Sequence, residues 1–174
     1  MVISVYAFAY LPIERELKNK KEMSKFSNIL QYDQMDCGAT CLAMVAKHYG
    51  KTYTIQKLRD MCSATRAGVS MLGISDAAEK LGFKTLGARL NFEKLAEDAP
   101  LPCIVHWRQE HFVVVYDVKV TSDKRQVTKD TENPSPVTRH SSLRGYVRVA
   151  DPGHGLIKFT VEEFCNNWLS TIMN

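Results

Sequence analysis

Residues 31–50, QYDQMDCGATCLAMVAKHYG, carry the pattern from which the fold of this protein can first be predicted. Apolar residues recur at the spacing of one helix face: Leu42, Val45, Ala46 and Tyr49. The pattern predicts a helix that begins at Cys37 and is ended by Gly50. Asp36 precedes this helix as a candidate N-cap residue.

More helices and then strands follow this first helix along the chain. Four further helices are predicted after the capping residues Thr54, Ser70, Asn91 and Thr160. Strands are predicted at residues 84–90, 101–107, 111–118, 145–152 and 156–159. Because most helices precede most strands, we expect an α+β domain with a helical half packed on an antiparallel sheet.

Length, charge and cysteine content exclude several classes of protein. A chain of 174 residues is long enough for one domain with a sizeable core. A net charge of +4, without a stripe of Arg and Lys, gives no reason to expect nucleic-acid binding. The five cysteines are an odd number and are widely scattered, so we expect mostly free thiols in a reducing compartment.

The two ends of the predicted core domain differ in composition from the rest of the chain. Residues 1–26 form a predicted N-terminal arm, in which an apolar run at 2–13 is too short to span a bilayer. The domain itself is predicted at residues 27–174. Within it, residues 121–144 are polar and aperiodic, and we expect them to form a surface insertion that loops outward.

Cys37 is the cysteine whose position best suits a nucleophile. It lies at the predicted helix start, where backbone N–H groups favour the negative form of a sulfur atom. Cys41 lies one turn further on the same side, among residues that suggest burial. A metal pair formed by these two cysteines would need two more ligands at a familiar spacing, and the sequence has no such second pair. A buried structural role remains the alternative for each thiol.

A nucleophilic cysteine needs a base, and the sequence has five candidate histidines. His48 lies near the far end of the Cys37 helix, His140 in the polar insertion and His154 in a turn. His106 and His111 flank one predicted hairpin and remain as alternatives. Position alone leaves the choice between these two open.

An acidic residue and an oxyanion donor would complete such a site. Asp117 lies six positions beyond His111 on one strand, roughly 20 Å away, and cannot reach it. Asp151 ends the next predicted strand and can lie beside His111 in an antiparallel meander, although Asp-Pro-Gly is also an ordinary turn. Gln31 precedes Cys37, but spacing does not assign it a role.

Three segments together resemble one known family, the double-glycine leader peptidases. These are the N-terminal peptidase domains of bacteriocin-processing ABC transporters. QYDQMDCG with the following ATCLAMVAKHYG resembles the family's cysteine motif, HFVVVYDV its histidine motif and VADPGHG its aspartate motif. AGVSMLGISDAAEKLGFKT is similar to the helix between them. The resemblance covers roughly residues 27–170.

The resemblance implies a papain-like cysteine peptidase that cleaves a leader peptide after Gly-Gly and needs no metal or cofactor. It implies that Cys37 is the nucleophile, His111 the general base, Asp151 the orienting acid and Gln31 the oxyanion donor. This choice places the base at His111 rather than His106. Both the 121–144 insertion and the 1–26 arm depart from the usual family pattern.

The resemblance also implies partners and a location for the chain. The partners would be a leader peptide and the transmembrane and nucleotide-binding parts of an ABC transporter, and no nucleic acid. The location would be the cytoplasmic face of a bacterial inner membrane. We expect the chain to be a soluble domain excised from a transporter rather than a freestanding peptidase. The alternative is a non-catalytic module of the same fold that binds leaders and tethers cargo.

Overall fold

The computed structural model describes residues 3–7, 26–65, 68–108, 111–122 and 143–168. Five helices and six strands lie within these ranges. The helices are α1 (Cys37–His48), α2 (Ile55–Met61), α3 (Met71–Lys80), α4 (Phe92–Glu97) and α5 (Val161–Trp168). The strands are β1 (Ile3–Ala7), β2 (Leu86–Leu90), β3 (Cys103–Trp107), β4 (His111–Ser122), β5 (Leu143–Asp151) and β6 (Gly155–Thr160).

Strands β3 to β6 form a four-stranded antiparallel meander in chain order. Trp107 pairs with His111, Val114 with Ala150, and Asp151 with Gly155. An irregularity in the pairing falls between Val115 and Asp117 of β4. Because β4 and β5 are antiparallel, the start of β4 lies beside the end of β5, as the sequence predicts for His111 and Asp151.

Helix α1 packs on one face of this sheet, and α2 and α3 pack against α1. The buried residues of α1 meet the sheet side chains Ile104, Phe112, Val114 and Ala150. Caps predicted from the sequence hold α2 and α3: Thr54 accepts a hydrogen bond from the Lys57 N–H, and Ser70 accepts one from the Gly73 N–H. This layer matches the predicted helical half.

Helices α4 and α5 cover the opposite face of the sheet. The sequence predicts both helices but not the face on which they lie. Phe92 and Leu95 of α4, together with Phe164 and Trp168 of α5, form a second core cluster with strands β3, β4 and β5. Both faces of β4 are therefore covered, which explains the continuous buried run Val113–Val115. The predicted capping box of α5 is present, since Thr160 and Glu163 exchange backbone-to-side-chain hydrogen bonds.

The strands that flank the polar insertion are longer than predicted. Strand β4 continues to Ser122 and β5 begins at Leu143, and these two residues are partners in the register. The first two and last two positions of the predicted 121–144 segment are therefore paired strand. The sequence does not reveal this extension, because its residues are mostly polar and lack the apolar pattern of a strand. Backbone pairing continues without that pattern once a hairpin has formed. The rest of the insertion lies outside the described residues.

The N-terminal arm contributes a strand that was not predicted. Strand β1 pairs antiparallel with β2 in a separate two-stranded sheet. Phe26, the last residue of the predicted arm, is buried in the core and stacks on Tyr116 with ring centroids 4.7 Å apart. The sequence also predicts a helix or tether at the charge-rich residues 14–26. All of that segment except Phe26 lies outside the described residues, as does the rest of the arm beyond β1. Within the ranges described, no helix is long and apolar enough to cross a membrane.

Candidate active site

Cys37 is the first residue of α1, and packing rather than capping positions it. The residue is buried, with 4% of its surface exposed. Gly38 lets the helix start approach α3 closely, since a Cβ atom at this position would lie 2.8 Å from Ile74 Cδ1. It would also lie 3.2 Å from Cβ of Val69, so the room around Gly38 is limited to a hydrogen atom. Gly38 therefore allows the first turn of α1, which carries Cys37, to pack closely against α3.

The predicted capping role of Asp36 is wrong. A 3₁₀ turn at Gln34–Asp36 runs directly into α1, so Asp36 already has helical backbone angles and makes no side-chain capping bond. Asp33 takes over the cap, with its Oδ1 accepting a hydrogen bond from the Met35 N–H at 3.1 Å. The buried Asp36 carboxylate instead lies 3.0 Å from Arg59 Nε of α2. The helical start thus lies three residues earlier than Cys37.

His111 and Asp151 are in direct contact, as predicted. His111 Nε2 lies 2.8 Å from Asp151 Oδ1, and the side chains are 23% and 6% exposed. Cys37 lies close enough to the same imidazole ring for its hydrogen bonding and charge to help raise the pKa of His111. Because Nε2 is engaged by Asp151, Nδ1 is the nitrogen left to face the sulfur. The ring therefore lies between a thiol and a carboxylate.

The contacts within this trio change the proton affinities of its members. Burial disfavours the charged form of His111, but the hydrogen bonds and charges of Asp151 and Cys37 outweigh it and raise the pKa of His111 to about 9. Burial opposes ionisation of Asp151 as well, yet His111 and the Gly153 N–H lower the pKa of Asp151 to about 2. At neutral pH the pair is therefore an imidazolium and a carboxylate.

Cys41 has a different environment from Cys37. It is fully buried, and its Sγ donates a hydrogen bond to the Phe112 carbonyl oxygen at 3.2 Å. Burial, followed by the nearby Cys37 and Asp151, raises the pKa of the Cys41 thiol well above its usual value. Cys41 is therefore held as a neutral thiol in the core. All five cysteines are free and buried.

Gln31 is joined to the site through its backbone. Its N–H donates to the Pro152 carbonyl oxygen at 2.9 Å, which ties the segment before Cys37 to the turn after Asp151. Its Oε1 atom is buried and has no hydrogen-bond partner among the described residues. None of the contacts described for this part of the chain joins the Gln31 side chain to Cys37. The backbone of Gln31 therefore lies beside the turn that follows Asp151, and no described contact joins its side-chain amide to the site.

Among the described histidines other than His111, two pack against phenylalanine rings and one makes a contact with Asp151 that the sequence does not predict. His106 stacks on Phe112 with ring centroids 5.0 Å apart, and His48 packs against Phe26 at 5.5 Å. His140 lies outside the described residues. His154, interpreted from the sequence as a simple turn residue, has its Nδ1 atom 2.9 Å from Asp151 Oδ2. The spacing Asp-Pro-Gly-His was the available signal, because a tight turn returns its fourth residue to its first.

Comparison with known proteins follows the same motifs. The sequence profile of the Peptidase C39 family matches residues 25–141. The chain belongs to this family. The C39 match includes Gln31, Cys37 and His111 and ends before Asp151. The place of Asp151 in the site therefore rests on its contact with His111 at the end of β5.

Two curated relatives illustrate the similarity of this C39 chain to transport proteins. It is 35% identical over 150 residues to the lactococcin-G-processing and transport ATP-binding protein LagD of Lactococcus lactis subsp. lactis, covering 83% of this chain and 18% of LagD. It is 30% identical over 139 residues to the transport/processing ATP-binding protein ComA of Streptococcus pneumoniae, covering 79% and 17% respectively. The chain thus spans about a fifth of the length of these relatives.

Two solved structures share the C39 fold. One is a double glycine motif protease from an AMS/PCAT transporter in complex with the leader peptide, with a TM-score of 0.67 and 29% identity over 84% of this chain and 87% of that one. The other is the peptidase domain of Streptococcus ComA, with a TM-score of 0.63 and 28% identity over 84% and 94%. The predictions of the family, of an α+β papain-like fold and of a cysteine peptidase are confirmed.

Proposed function

We propose that this C39 chain cleaves leader peptides after a Gly-Gly pair, with Cys37 as nucleophile, His111 as general base and acid, and Asp151 as the group that orients His111. The observation that carries the proposal is the position of the His111 ring between the Cys37 thiol and the Asp151 carboxylate. The raised pKa of His111 supports an imidazolium that can give its proton to the leaving amine. The substrate class follows from the relatives and from the leader-bound structural neighbour.

The chemistry proceeds through two acyl-transfer steps. The Cys37 thiolate attacks the carbonyl carbon of the second glycine, and the carbonyl electron pair moves to oxygen. His111 then gives its proton to the amide nitrogen as the C–N bond breaks, which releases the mature peptide and leaves a thioester on Cys37. A water molecule adds to the thioester while His111 takes its proton. The C–S bond breaks, and the leader departs with a new carboxylate.

Gln31 is proposed to stabilise the negative oxygen of the tetrahedral intermediates. Its side-chain N–H₂ group and the Cys37 backbone N–H would donate the two hydrogen bonds. The backbone bond from Gln31 to Pro152 supports this role, because it ties the donor's position to the strand that carries Asp151. This hydrogen bond thus restrains the position of the Gln31 backbone relative to Asp151.

The setting proposed for this activity is peptide export. The relatives are transport and processing proteins with ATP-binding parts, and this chain matches only about a fifth of their length. We infer that the peptidase works with the transmembrane and nucleotide-binding parts of an ABC transporter at the cytoplasmic face of the membrane. The cargo would be a secreted bacteriocin or signalling peptide that carries the leader.

The deciding experiment is mass spectrometry of a Gly-Gly leader peptide incubated with the wild-type protein and with Cys37→Ala under reducing conditions. We expect the wild type to produce two fragments that separate after the second glycine, and Cys37→Ala to bind the peptide without cutting it. A matched peptide with the second glycine replaced by valine should stay intact, because specificity for glycine would require a cleft too narrow for a β-branched side chain.

Other outcomes would point to other functions. An uncut peptide that binds both proteins would support a non-catalytic module that tethers leader-bearing cargo. A changed mass of the intact peptide would indicate deamidation or acyl transfer by the same residues. Cleavage by Cys37→Ala at the wild-type rate would overturn the choice of nucleophile.

A further inference from the structure

Asp151 makes contact with two histidines at once. Its Oδ1 atom accepts hydrogen bonds from His111 Nε2 at 2.8 Å and from the Gly153 N–H at 2.8 Å. Its Oδ2 atom lies 2.9 Å from His154 Nδ1. Both oxygens of a nearly buried carboxylate are therefore occupied, and each faces a different imidazole ring.

His154 is placed for this contact by the turn between β5 and β6. Residues 152–154 form the turn, and the His154 backbone N–H donates to the Asp151 carbonyl oxygen at 3.3 Å. Backbone and side chain of His154 thus both return to Asp151. The side chain of His154 is 75% exposed, whereas that of Asp151 is 6% exposed. The largely exposed imidazole ring of His154 therefore contacts Asp151 through the ring edge that carries Nδ1.

We propose that His154 is a positioning residue for the reaction, acting through Asp151; this inference rests on the proposed function. The bond to Oδ2 restrains rotation of the carboxylate, so that Oδ1 stays in line with His111 Nε2. A carboxylate whose Oδ2 lacks this donor would be held on one oxygen only, and the His111 ring would lose part of its orientation. His154 itself does not exchange protons with the substrate.

The geometry specifies which nitrogen of His154 matters. Nδ1 must carry a hydrogen to donate to a carboxylate oxygen, which leaves Nε2 directed away from Asp151. An asparagine at this position offers an amide N–H₂ at nearly the same distance from the backbone as Nδ1. An alanine offers no donor. The pair His154→Asn and His154→Ala therefore separates loss of the hydrogen bond from loss of the imidazole.

The test measures cleavage kinetics and the His111 ring proton in the same three proteins. We expect His154→Ala to lower kcat roughly 3- to 10-fold with KM unchanged, the size of effect appropriate to a charge-assisted bond made by a largely exposed partner. His154→Asn should recover most of the wild-type kcat. In NMR spectra the Nε2–H proton of His111 should exchange faster in His154→Ala and be protected again in His154→Asn.

The two readouts also separate this inference from the proposed function. If the wild type cuts no leader, the function fails, while the ring proton still reports whether His154 holds the pair. Equal losses of kcat in His154→Ala and His154→Asn would overturn the positioning role, because the donor would then be irrelevant. An unchanged exchange rate of the His111 Nε2–H proton in His154→Ala would overturn the positioning role as well. A raised KM with unchanged kcat would also overturn it.

Discussion

The Nε2 atom of His111 lies 2.8 Å from Oδ1 of Asp151, although 40 residues separate them in the chain. The hairpin geometry explains this contact, because His111 begins β4 and Asp151 ends β5. The polar insertion connects the other ends of these strands, after Ser122 and before Leu143, roughly 35 Å from His111 at the usual rise per strand residue. The length of the insertion therefore does not change the strand pairing that brings His111 to Asp151.

The first prediction concerns the pH dependence of cleavage. The carboxylate of Asp151 helps to raise the pKa of His111 to about 9, so wild-type activity should fall as pH rises through about 9 and the imidazolium is lost. Asp151→Asn removes the charge, and the pKa of His111 should move down toward its ordinary value. We expect the alkaline limb of the kcat/KM profile to shift to lower pH.

Asp117→Asn is the matched control for this shift. Asp117 is on the same strand as His111 but pairs with Arg148, whose Nη1 lies 3.5 Å from Asp117 Oδ2. This control should leave the alkaline limb near pH 9. An Asp151→Asn enzyme with the wild-type limb would contradict the assignment of Asp151 as the orienting partner.

The same ion pair predicts how stability depends on pH. Because folding raises the pKa of His111 from 6.5 to about 9, its contribution is complete below pH 6.5 and disappears as pH rises through about 9. Because folding lowers the pKa of Asp151 from 3.8 to about 2, its contribution is complete above pH 3.8 and disappears as pH falls through about 2. Both contributions are complete between about pH 4 and 6.5.

Urea unfolding of wild type and Asp151→Asn would measure this dependence. The difference between their free energies of unfolding should be largest between about pH 4 and 6.5 and should shrink toward pH 9. A difference that grows from pH 6.5 to pH 9 would have the wrong sign for this pair.

The oxyanion role of Gln31 predicts a loss of rate without a comparable loss of binding. Gln31→Ala should lower kcat by about 10²–10³, the usual effect of removing one donor to the negative oxygen. Gln31→Glu keeps the size of the side chain but replaces the amide donor with a negative charge, so it should be at least as impaired. Single-turnover kinetics with a leader peptide would measure both. A fully active Gln31→Glu enzyme would exclude this residue as the donor.

The two cysteines of α1 should respond differently to removal. Cys37→Ala should abolish cleavage, whereas Cys41→Ala should keep most of it, because the Cys41 thiol is fully buried and donates to the Phe112 carbonyl oxygen. Cys41→Ala should instead lower the free energy of unfolding by about 1–2 kcal/mol, through a small cavity and an unpaired carbonyl. If Cys41→Ala were as inactive as Cys37→Ala while remaining folded, the assignment of the nucleophile would be wrong.

The close approach of α1 and α3 predicts a cost for a methyl group at Gly38. A Cβ there would lie 2.8 Å from Ile74 Cδ1, so Gly38→Ala should destabilise the fold by about 1–2 kcal/mol. Ile74→Val removes that Cδ1 atom. In the Ile74→Val background the added cost of Gly38→Ala should decrease without disappearing, because the new Cβ would still lie 3.2 Å from Val69 Cβ. A double-mutant cycle of unfolding free energies measures the decrease. Equal costs in both backgrounds would contradict the packing argument.

Local patterns predicted those elements whose formation depends on nearby residues. The periodicity of α1, the caps Thr54 and Ser70 and the capping box at Thr160 are all present where the sequence places them. The cap at Asp36 was predicted wrongly, since a preceding 3₁₀ turn and the charge of Arg59 determine its conformation. Strand β1 and the second helical layer were not foreseen, because their pairing and packing partners are distant in the chain.

The sequence by itself determined the family to which the chain belongs, through three motifs in order. Its resemblance to that family, rather than spacing alone, selected Cys37, His111, Asp151 and Gln31 as the candidate site residues. Only the tertiary structure decided which atoms meet: which imidazole nitrogen faces Asp151, that Cys41 is held as a neutral thiol, and that His154 occupies Oδ2. The reason is physical, because side-chain contacts and burial depend on how strands register and layers pack, and neither is encoded in the spacing of residues along one segment.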